Sequence, residues 1–191
     1  YNSSITIKKS ITKSRRAEIY YKTLGLISQD LINKKILIIG PRNVQELYIA
    51  WLYGFKWKNI KAIDLYSTHP KIEIMNMNNL KFPKESFDVV VMANTLPYSD
   101  NTELTIKMVS EVLTPSGIFS FGATYYPECE KWPGDKIDGT KIYEYLKNAG
   151  FRVFFHNPIE KINSLGGRQT LNNFGAQKMQ KNVVLQDKFS L

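Results

Sequence analysis

The chain has 191 residues, of which 43% are hydrophobic and 23% charged, a composition typical of one compact globular domain. The net charge of +9 lies at the ends: residues 1–35 carry eight Lys or Arg against two acids and residues 168–191 four against one, whereas residues 36–167 carry 14 of each. One cysteine and two histidines exclude an intrachain disulfide and a four-ligand Cys/His zinc site, and we expect no metal.

The lone cysteine fits a reducing environment, so we expect a cytoplasmic protein. No apolar run approaches the roughly 20 residues of a membrane helix. The chain opens on Tyr1 rather than Met, so a longer parent polypeptide stays open.

Residues 1–33 are predicted to form a basic tail followed by a helix, and residues 34–191 a single globular domain. From residue 14 the pattern becomes helical and ends at Gly25, with four apolar residues at i, i+3, i+4 and i+7: Ala17, Tyr20, Tyr21 and Leu24. The basic flank of this helix is either a solvated face or the border of a site for an acidic partner.

Strands and helices alternate along the rest of the chain, which predicts an open α/β sheet. The predicted strands are 36–39, 61–65, 72–75, 87–93, 118–122 and 151–155, and the predicted helices are 44–53, 103–113 and 140–149. Helix 44–53 should bury Val44, Leu47, Tyr48, Trp51 and Leu52 on one side, and residues 114–117 should form a turn.

Two connecting segments are distinctive. Residues 66–71 are too few for the usual helix between parallel strands, so one sheet edge should be trimmed. Residues 163–175 hold three glycines and no period, which predicts a loop acting as a mobile lid or as a contact with a partner subunit, with a last strand at 182–185.

Ligands bind open parallel sheets beyond the carboxyl ends of the strands. Here those ends lead into residues 40–43, 64–69, 94–100 and 123–130. Asp64 ends the second strand 24 positions after Gly40, and an acid at this place accepts hydrogen bonds from both hydroxyls of a cofactor ribose.

Four segments in order resemble the class I S-adenosylmethionine-dependent methyltransferases, which have a Rossmann-like sheet. They are ILIIG (36–40), AIDL (62–65), NMNNLKFPKESFDVV (76–90) and VLTPSG (112–117). One of the three glycines of the family's first motif is present, because Ile38, Arg42 and Val44 stand where the family has an acid and two further glycines. That turn must therefore differ, with Arg42 or Glu46 meeting the amino-acid end of the cofactor.

The resemblance implies an open, mostly parallel sheet with helices on both faces, trimmed between its second and third strands, and S-adenosylmethionine as the cofactor. Gly40 would face the methionine part, Asp64 the ribose, Asn76 and Met77 the adenine, and Asn94 the floor near the sulfonium. The full set of implied cofactor residues is Gly40, Pro41, Arg42, Asp64, Leu65, Asn76, Met77, Ala93 and Asn94.

The resemblance also implies transfer of a methyl group to an oxygen or nitrogen of an acceptor. Residues 94–98 (NTLPY) lack the Asn-Pro-Pro-Tyr segment of many enzymes that methylate amino groups, which favours a small molecule or a saccharide. By position, the candidates on the acceptor side are His69, Tyr98, Tyr125, Tyr126 and Glu128.

Two other classes of function stay open. The loss of motif glycines fits a non-catalytic scaffold or partner-binding domain, and a partner subunit or a homodimer would suit it. An RNA-modifying enzyme would use the basic N-terminal residues, but the balanced charge of residues 36–167 disfavours nucleic acid.

Overall fold

The computed structural model describes residues 17–25, 30–125, 139–162 and 168–180. The described strands are β1 (Ile36–Ile39), β2 (Ile60–Asp64), β3 (Ile72–Ile74), β4 (Phe87–Met92), β5 (Leu113–Tyr125), β6 (Phe151–Ile162) and β7 (Arg168–Lys178). The described helices are α1 (Glu18–Gly25), α2 (Val44–Leu52), α3 (Thr102–Val112) and α4 (Gly139–Asn148), with single 3-10 turns at Trp57–Asn59 and Leu96–Tyr98.

The strands form one open sheet in the order β3-β2-β1-β4-β5-β7-β6. Strands β1 to β5 pair in parallel, and β7 lies antiparallel between β5 and β6. The prediction of an open, mostly parallel α/β sheet is confirmed.

Helices cover both faces of the sheet, and β1 shows why its sequence is continuously apolar. Leu37 and Ile39 join the core cluster that includes buried residues of α3 and α4, whereas Ile36 and Ile38 join the cluster that includes those of α1 and α2. A strand buried on both faces has no solvent side, so it needs no polar alternation.

Helix α1 lies against β5 through the predicted apolar residues: Ala17, Tyr20, Tyr21 and Leu24 are all buried. Its backbone is also held, because the Ser120 hydroxyl donates to the Tyr20 carbonyl (2.9 Å) and lies 3.2 Å from the Thr23 hydroxyl. Arg15 and Arg16, part of the basic flank, lie outside the described residues.

The predicted buried face of α2 is confirmed at Leu47 and wrong at Tyr48, Trp51 and Leu52. Buried positions are Glu46, Leu47, Ile49 and Ala50, whereas Tyr48, Trp51 and Leu52 are about half exposed or more. Apolar residues cover most of this helix, so the sequence could not say which side meets the sheet; Tyr48 stacks instead on Trp57 at the surface, with ring centroids 5.2 Å apart. 

The predicted loop at 163–175 is also wrong where the structure describes it, because residues 168–175 belong to β7. Both neighbours of β7 are strands, so its backbone groups pair on both sides and residues without apolar alternation, such as Asn172 and Asn173, can form a central strand. The lid or partner-contact hypothesis loses its basis there. The strand predicted at 182–185 lies outside the described residues.

The remaining differences are local. The predicted turn at 114–117 is an irregularity within β5, where Ser116 has φ +65° and pairing with β4 jumps from Leu113 to Ile118. The connection between β2 and β3, residues 65–71, contains no helix, which confirms the trimmed edge. Among the described residues, no helix is long and apolar enough to cross a membrane.

Candidate functional site

The turn after β1 brings Gly40 against the loop that follows β4. Gly40 has φ +69°, and its N–H donates to the carbonyl of Ile63 on β2 (2.8 Å). The Thr95 hydroxyl donates to the Gly40 carbonyl (3.2 Å), and a Cβ on Gly40 would overlap the Thr95 side chain. Glycine is therefore required here both by its backbone angle and by the close approach of Thr95.

Helix α2 begins at this turn and brings a buried carboxyl group with it. Asn43 caps the helix, its Oδ1 accepting the N–H of Gln45 (3.0 Å), and Glu46 lies in the first helical turn with 6% of its surface exposed. Burial raises the pKa of Glu46 to about 8; the charge of Asp64 adds to this, while the N–H and the charge of Arg42 oppose it. Glu46 is therefore mostly protonated at neutral pH.

Asp64 ends β2 beside these groups and is half-buried. Burial raises its pKa, while the backbone N–H groups of Tyr66 and Leu65 and the charge of Arg42 lower it. Its Oδ1 accepts the Tyr66 N–H at 3.4 Å. The structure therefore brings Arg42, Glu46 and Asp64 together at the carboxyl edge of β1 and β2, whereas Leu65 is 62% exposed.

The segment after β3 separates its two predicted cofactor residues. Asn76 is exposed and its Oδ1 accepts the N–H of Asn78 (2.8 Å) in a local turn, whereas Met77 is buried in the core. Asn78 ties this segment to the loop after β4, because its Nδ2 donates to the Asn101 carbonyl (3.0 Å) and its Oδ1 accepts the Ser99 hydroxyl (3.2 Å). Asn76 is therefore accessible to a ligand at this edge, whereas the buried Met77 is not.

The end of β4 carries Ala93, which packs partly buried, and Asn94, which has φ +61°. Asn94 Oδ1 accepts the Thr124 hydroxyl of β5 (3.2 Å) and lies 2.8 Å from the place of a Cβ on Gly122. The hydroxyl of Tyr20 lies over the same glycine. Asparagine tolerates the left-handed backbone better than most residues, which explains this residue type after the strand.

The acceptor-side candidates are dispersed. His69 supports the β2–β3 turn, its Nδ1 accepting the Lys71 N–H (3.1 Å), and Tyr98 is half exposed on the 3-10 turn after β4. Tyr125 is the last residue of β5, and its side chain is outside the described part. Tyr126 and Glu128 fall outside the described residues.

His156, the second histidine, belongs to a packed cluster on the α4 face of β6 and β7. Its Nε2 donates to Asn172 Oδ1 (2.9 Å), its Nδ1 lies 2.9 Å from the Tyr143 hydroxyl, and its ring stacks on Phe174 with centroids 4.1 Å apart. Both ring nitrogens are thus engaged, which agrees with a structural role.

Sequence reasoning missed four side chains at or beside this edge: Tyr20, Thr95, Thr124 and Asn173. Tyr20 was predicted only as part of the apolar side of a helix, and Thr95 lies in the strand-end segment 94–100 without a role of its own. Thr124 and Asn173 are on strands whose pairing brings them to the site. The available signal was Gly122, a strand glycine that indicates close approach of another group.

The functional groups of S-adenosylmethionine can be compared with the residues at this edge to test whether the edge could hold the compound. Its ribose hydroxyls match the carboxylate of Asp64, its carboxylate matches the guanidinium of Arg42, and its ammonium group can donate to an oxygen of the Glu46 carboxyl group. The space directly over Gly40 is filled by Thr95 rather than open. The donors and acceptors present fit the ribose and the amino-acid end, while close approach to Gly40 requires Thr95 to move.

A cavity of about 200 Å³ lies at the opposite edge of the sheet, where Lys34, Asp88 and Ser116 are among its lining residues. These residues precede or begin β1, β4 and the paired part of β5, so the cavity is at the amino ends of the strands. Ligands of open parallel sheets bind at the carboxyl ends, and we therefore do not assign the cavity to the candidate site.

Comparison with protein families matches residues 56–121 to a model described as a methyltransferase domain. Comparison with curated protein sequences gives no match. The matched residues include β2, β3, β4 and α3, together with Asp64, Asn76 and Asn94.

Three solved structures illustrate the likeness of fold. A provisionally assigned S-adenosylmethionine-dependent methyltransferase from Listeria monocytogenes is 18% identical, with 84% of this chain and 98% of that one covered and a TM-score of 0.63. The [4+2]-cyclase SpnF is 13% identical, with 85% and 80% covered and a TM-score of 0.66. A provisionally assigned methyltransferase, solved with a methyltransferase activator of Haloferax volcanii, is 12% identical, with 91% and 95% covered and a TM-score of 0.62.

Proposed function

We propose that this chain is a class I S-adenosylmethionine-dependent methyltransferase that uses S-adenosylmethionine to methylate an oxygen or nitrogen of a small molecule or saccharide; the methyltransferase-domain match over residues 56–121 and the shared fold support this. The observation that carries this proposal is the meeting of Asp64, Arg42 and Glu46 at the carboxyl edge of β1 and β2. A purely structural domain has no need of three titratable groups at the edge where ligands bind.

Each group has a distinct part in holding the cofactor. Asp64 accepts hydrogen bonds from ribose hydroxyls, and the Arg42 guanidinium faces a carboxylate. Glu46, once ionised, faces an ammonium group. Asn76 offers an amide to the adenine, and Asn94 forms the floor beside the reacting methyl.

S-adenosylmethionine, when bound, would supply a methyl group on a sulfonium that leaves as a neutral thioether, so no residue would have to activate a leaving group, and the acceptor proton would go to bulk solvent outside the site. The protein mainly has to align the acceptor and exclude water. Helix α1 contributes to exclusion of water, because Tyr20 covers Gly122 beside Asn94.

Binding of S-adenosylhomocysteine, measured by calorimetry and by the rise in melting temperature, tests the cofactor site. At 100 times Kd the expected stabilisation is about 2.7 kcal/mol. Asp64→Ala should abolish the rise, whereas Glu73→Ala, which removes an exposed acid from the neighbouring strand β3, should retain it. Equal rises in the two variants would refute the role of Asp64.

A second candidate function, a scaffold that binds no cofactor, is favoured by one observation. Thr95 fills the space over Gly40 and hydrogen-bonds to its carbonyl, so a residue of the chain itself occupies the place beside the motif glycine. This alternative predicts no shift in melting temperature with millimolar S-adenosylmethionine or S-adenosylhomocysteine. A clear shift with either compound would exclude it.

A further inference from the structure

Asn173, in the middle of β7, has a buried side chain with unmet hydrogen-bonding capacity. It is 2% exposed, and neither its Nδ2 nor its Oδ1 has a hydrogen-bond partner within the described part of the chain. Native proteins leave few buried polar atoms without partners, and those few often reflect a role in binding or catalysis. A leucine would fill the same volume without this cost.

Strand pairing places Asn173 next to the floor of the candidate site. Asn173 pairs with Gly122 of β5, and residues paired across strands project from the same face. Over Gly122 on that face lie the Tyr20 hydroxyl and Asn94 Oδ1. Neighbouring strands are about 5 Å apart. Asn173 therefore lies about one strand spacing from Gly122, over which Asn94 Oδ1 lies.

The side chains over Gly122 are polar and carry no charge, and Glu46, whose charge also acts on Tyr20, has a pKa raised by burial to about 8 and is mostly protonated at neutral pH. Thr124 donates to Asn94, and burial keeps the pKa of Tyr20 above its usual range, so the phenol stays protonated. A carboxamide offers both donors and an acceptor, which match the hydroxyl groups of a polyol or sugar. A charged acceptor would be buried here without an opposite charge among Tyr20, Asn94, Thr124 and Asn173, which is unfavourable.

We propose that Asn173 recognises the methyl acceptor, hydrogen-bonding a hydroxyl group of a neutral, hydroxyl-bearing small molecule on the α1 face of β5 and β7. This inference rests on the proposed methyltransferase function and narrows its acceptor class. A second hydroxyl of the same molecule then lies toward Asn94, where its oxygen meets the methyl group. The acceptor enters from the carboxyl end of β5 and the amino end of the antiparallel β7, beyond Thr124.

The neighbouring residue provides a matched control. Asn172 projects from the opposite face, and its Oδ1 accepts from His156 Nε2 (2.9 Å). Asn172→Leu should therefore lower the melting temperature by breaking a buried hydrogen bond, while methyl transfer is kept within about threefold. Asn173→Leu should leave the melting temperature unchanged or raised, because it removes an amide that has no partner.

The assay gives the full chain tritium-labelled S-adenosylmethionine and a low-molecular-weight metabolite extract, then separates products into anionic, cationic and neutral fractions by ion exchange. We expect label in the neutral fraction. Asn173→Leu should lower the rate at low acceptor concentration about tenfold or more, the usual effect of losing a buried hydrogen bond. Its affinity for S-adenosylhomocysteine should stay within twofold of wild type.

Several results would overturn the inference. These are label confined to the charged fractions, no transfer by the wild type despite cofactor binding, or an undiminished rate in Asn173→Leu. A melting temperature lowered as much as in Asn172→Leu, with full activity, would mean that the amide holds a structural water. If the wild-type chain binds no S-adenosylhomocysteine, the proposed function itself fails, and this inference with it.

Discussion

Glu46 provides the sharpest link between the structure and a measurable property. The residue lies in the first turn of α2 and is 6% exposed, against Arg42 and Asp64. Its pKa in the folded protein is about 8, compared with an ordinary value of 4.5. Glu46→Gln keeps the shape of the protonated side chain and removes its titration.

The sign of the effect follows from proton binding. Between pH 4.5 and 8 the folded state holds the proton of Glu46 and the unfolded state does not, so the free energy of unfolding falls as pH rises. One pKa unit corresponds to about 1.4 kcal/mol, and between pH 6 and pH 8 the wild type should lose about 2 kcal/mol from this group. Glu46→Gln should lose none of it, and should therefore exceed the wild type in stability at pH 8.

Urea unfolding at pH 6, 7 and 8, followed by tryptophan fluorescence, measures this difference. Glu103→Gln is the control, because Glu103 also lies in the first turn of a helix, α3, but is exposed; it should follow the wild-type pH dependence. Both histidines are present in all three proteins, so the comparison isolates the substituted carboxyl group. Equal pH dependence in wild type and Glu46→Gln would refute the burial argument.

Two further substitutions test the contacts that frame the site. Gly122→Ala places a methyl group against the Tyr20 hydroxyl and should lower the free energy of unfolding in urea by about 1–3 kcal/mol. Adding Tyr20→Phe should restore part of this stability. Full stability of the single variant would show that α1 does not pack tightly on β5. Thr95→Ala opens the space over Gly40, removes the hydrogen bond to the Gly40 carbonyl and should lower the free energy of unfolding by about 1 kcal/mol. It should also tighten the binding of S-adenosylhomocysteine, measured by calorimetry. Unchanged or weaker affinity would show that Thr95 does not obstruct the cofactor.

Most of the fold was predictable because local pattern and burial agree in its first part. The run Ile36 to Ile39 is apolar because both faces of β1 are covered, and the spacing of Ala17, Tyr20, Tyr21 and Leu24 matches the buried side of α1. The shortness of the 65–71 segment likewise excluded a helix between β2 and β3. In each case the residues of one segment were enough to predict its structure.

Prediction from the sequence failed where pairing or packing against another element determines the structure. The polar strand β7 is stabilised by backbone pairing with β5 on one side and β6 on the other. The sequence of β7 itself does not reveal these partners. On α2, apolar side chains surround the helix, and contact with β2 and α1 selected Leu47 and Ala50 over Trp51 and Leu52. Pairing partners and packing direction are not local properties, so periodicity does not report them.

For the candidate site, the sequence by itself determined that an acid, Asp64, ends the second strand and that a lone motif glycine, Gly40, ends the first. Only the tertiary structure decided that Thr95 covers Gly40, that Glu46 is buried beside Arg42 and that Asn173 lies beside Gly122. The reason is physical: a motif records which residues stand at a strand end, whereas hydrogen bonds and burial depend on what the folded chain places around them, such as Thr95 beside Gly40 from 55 positions away or Asn173 beside Gly122 from 51 positions away.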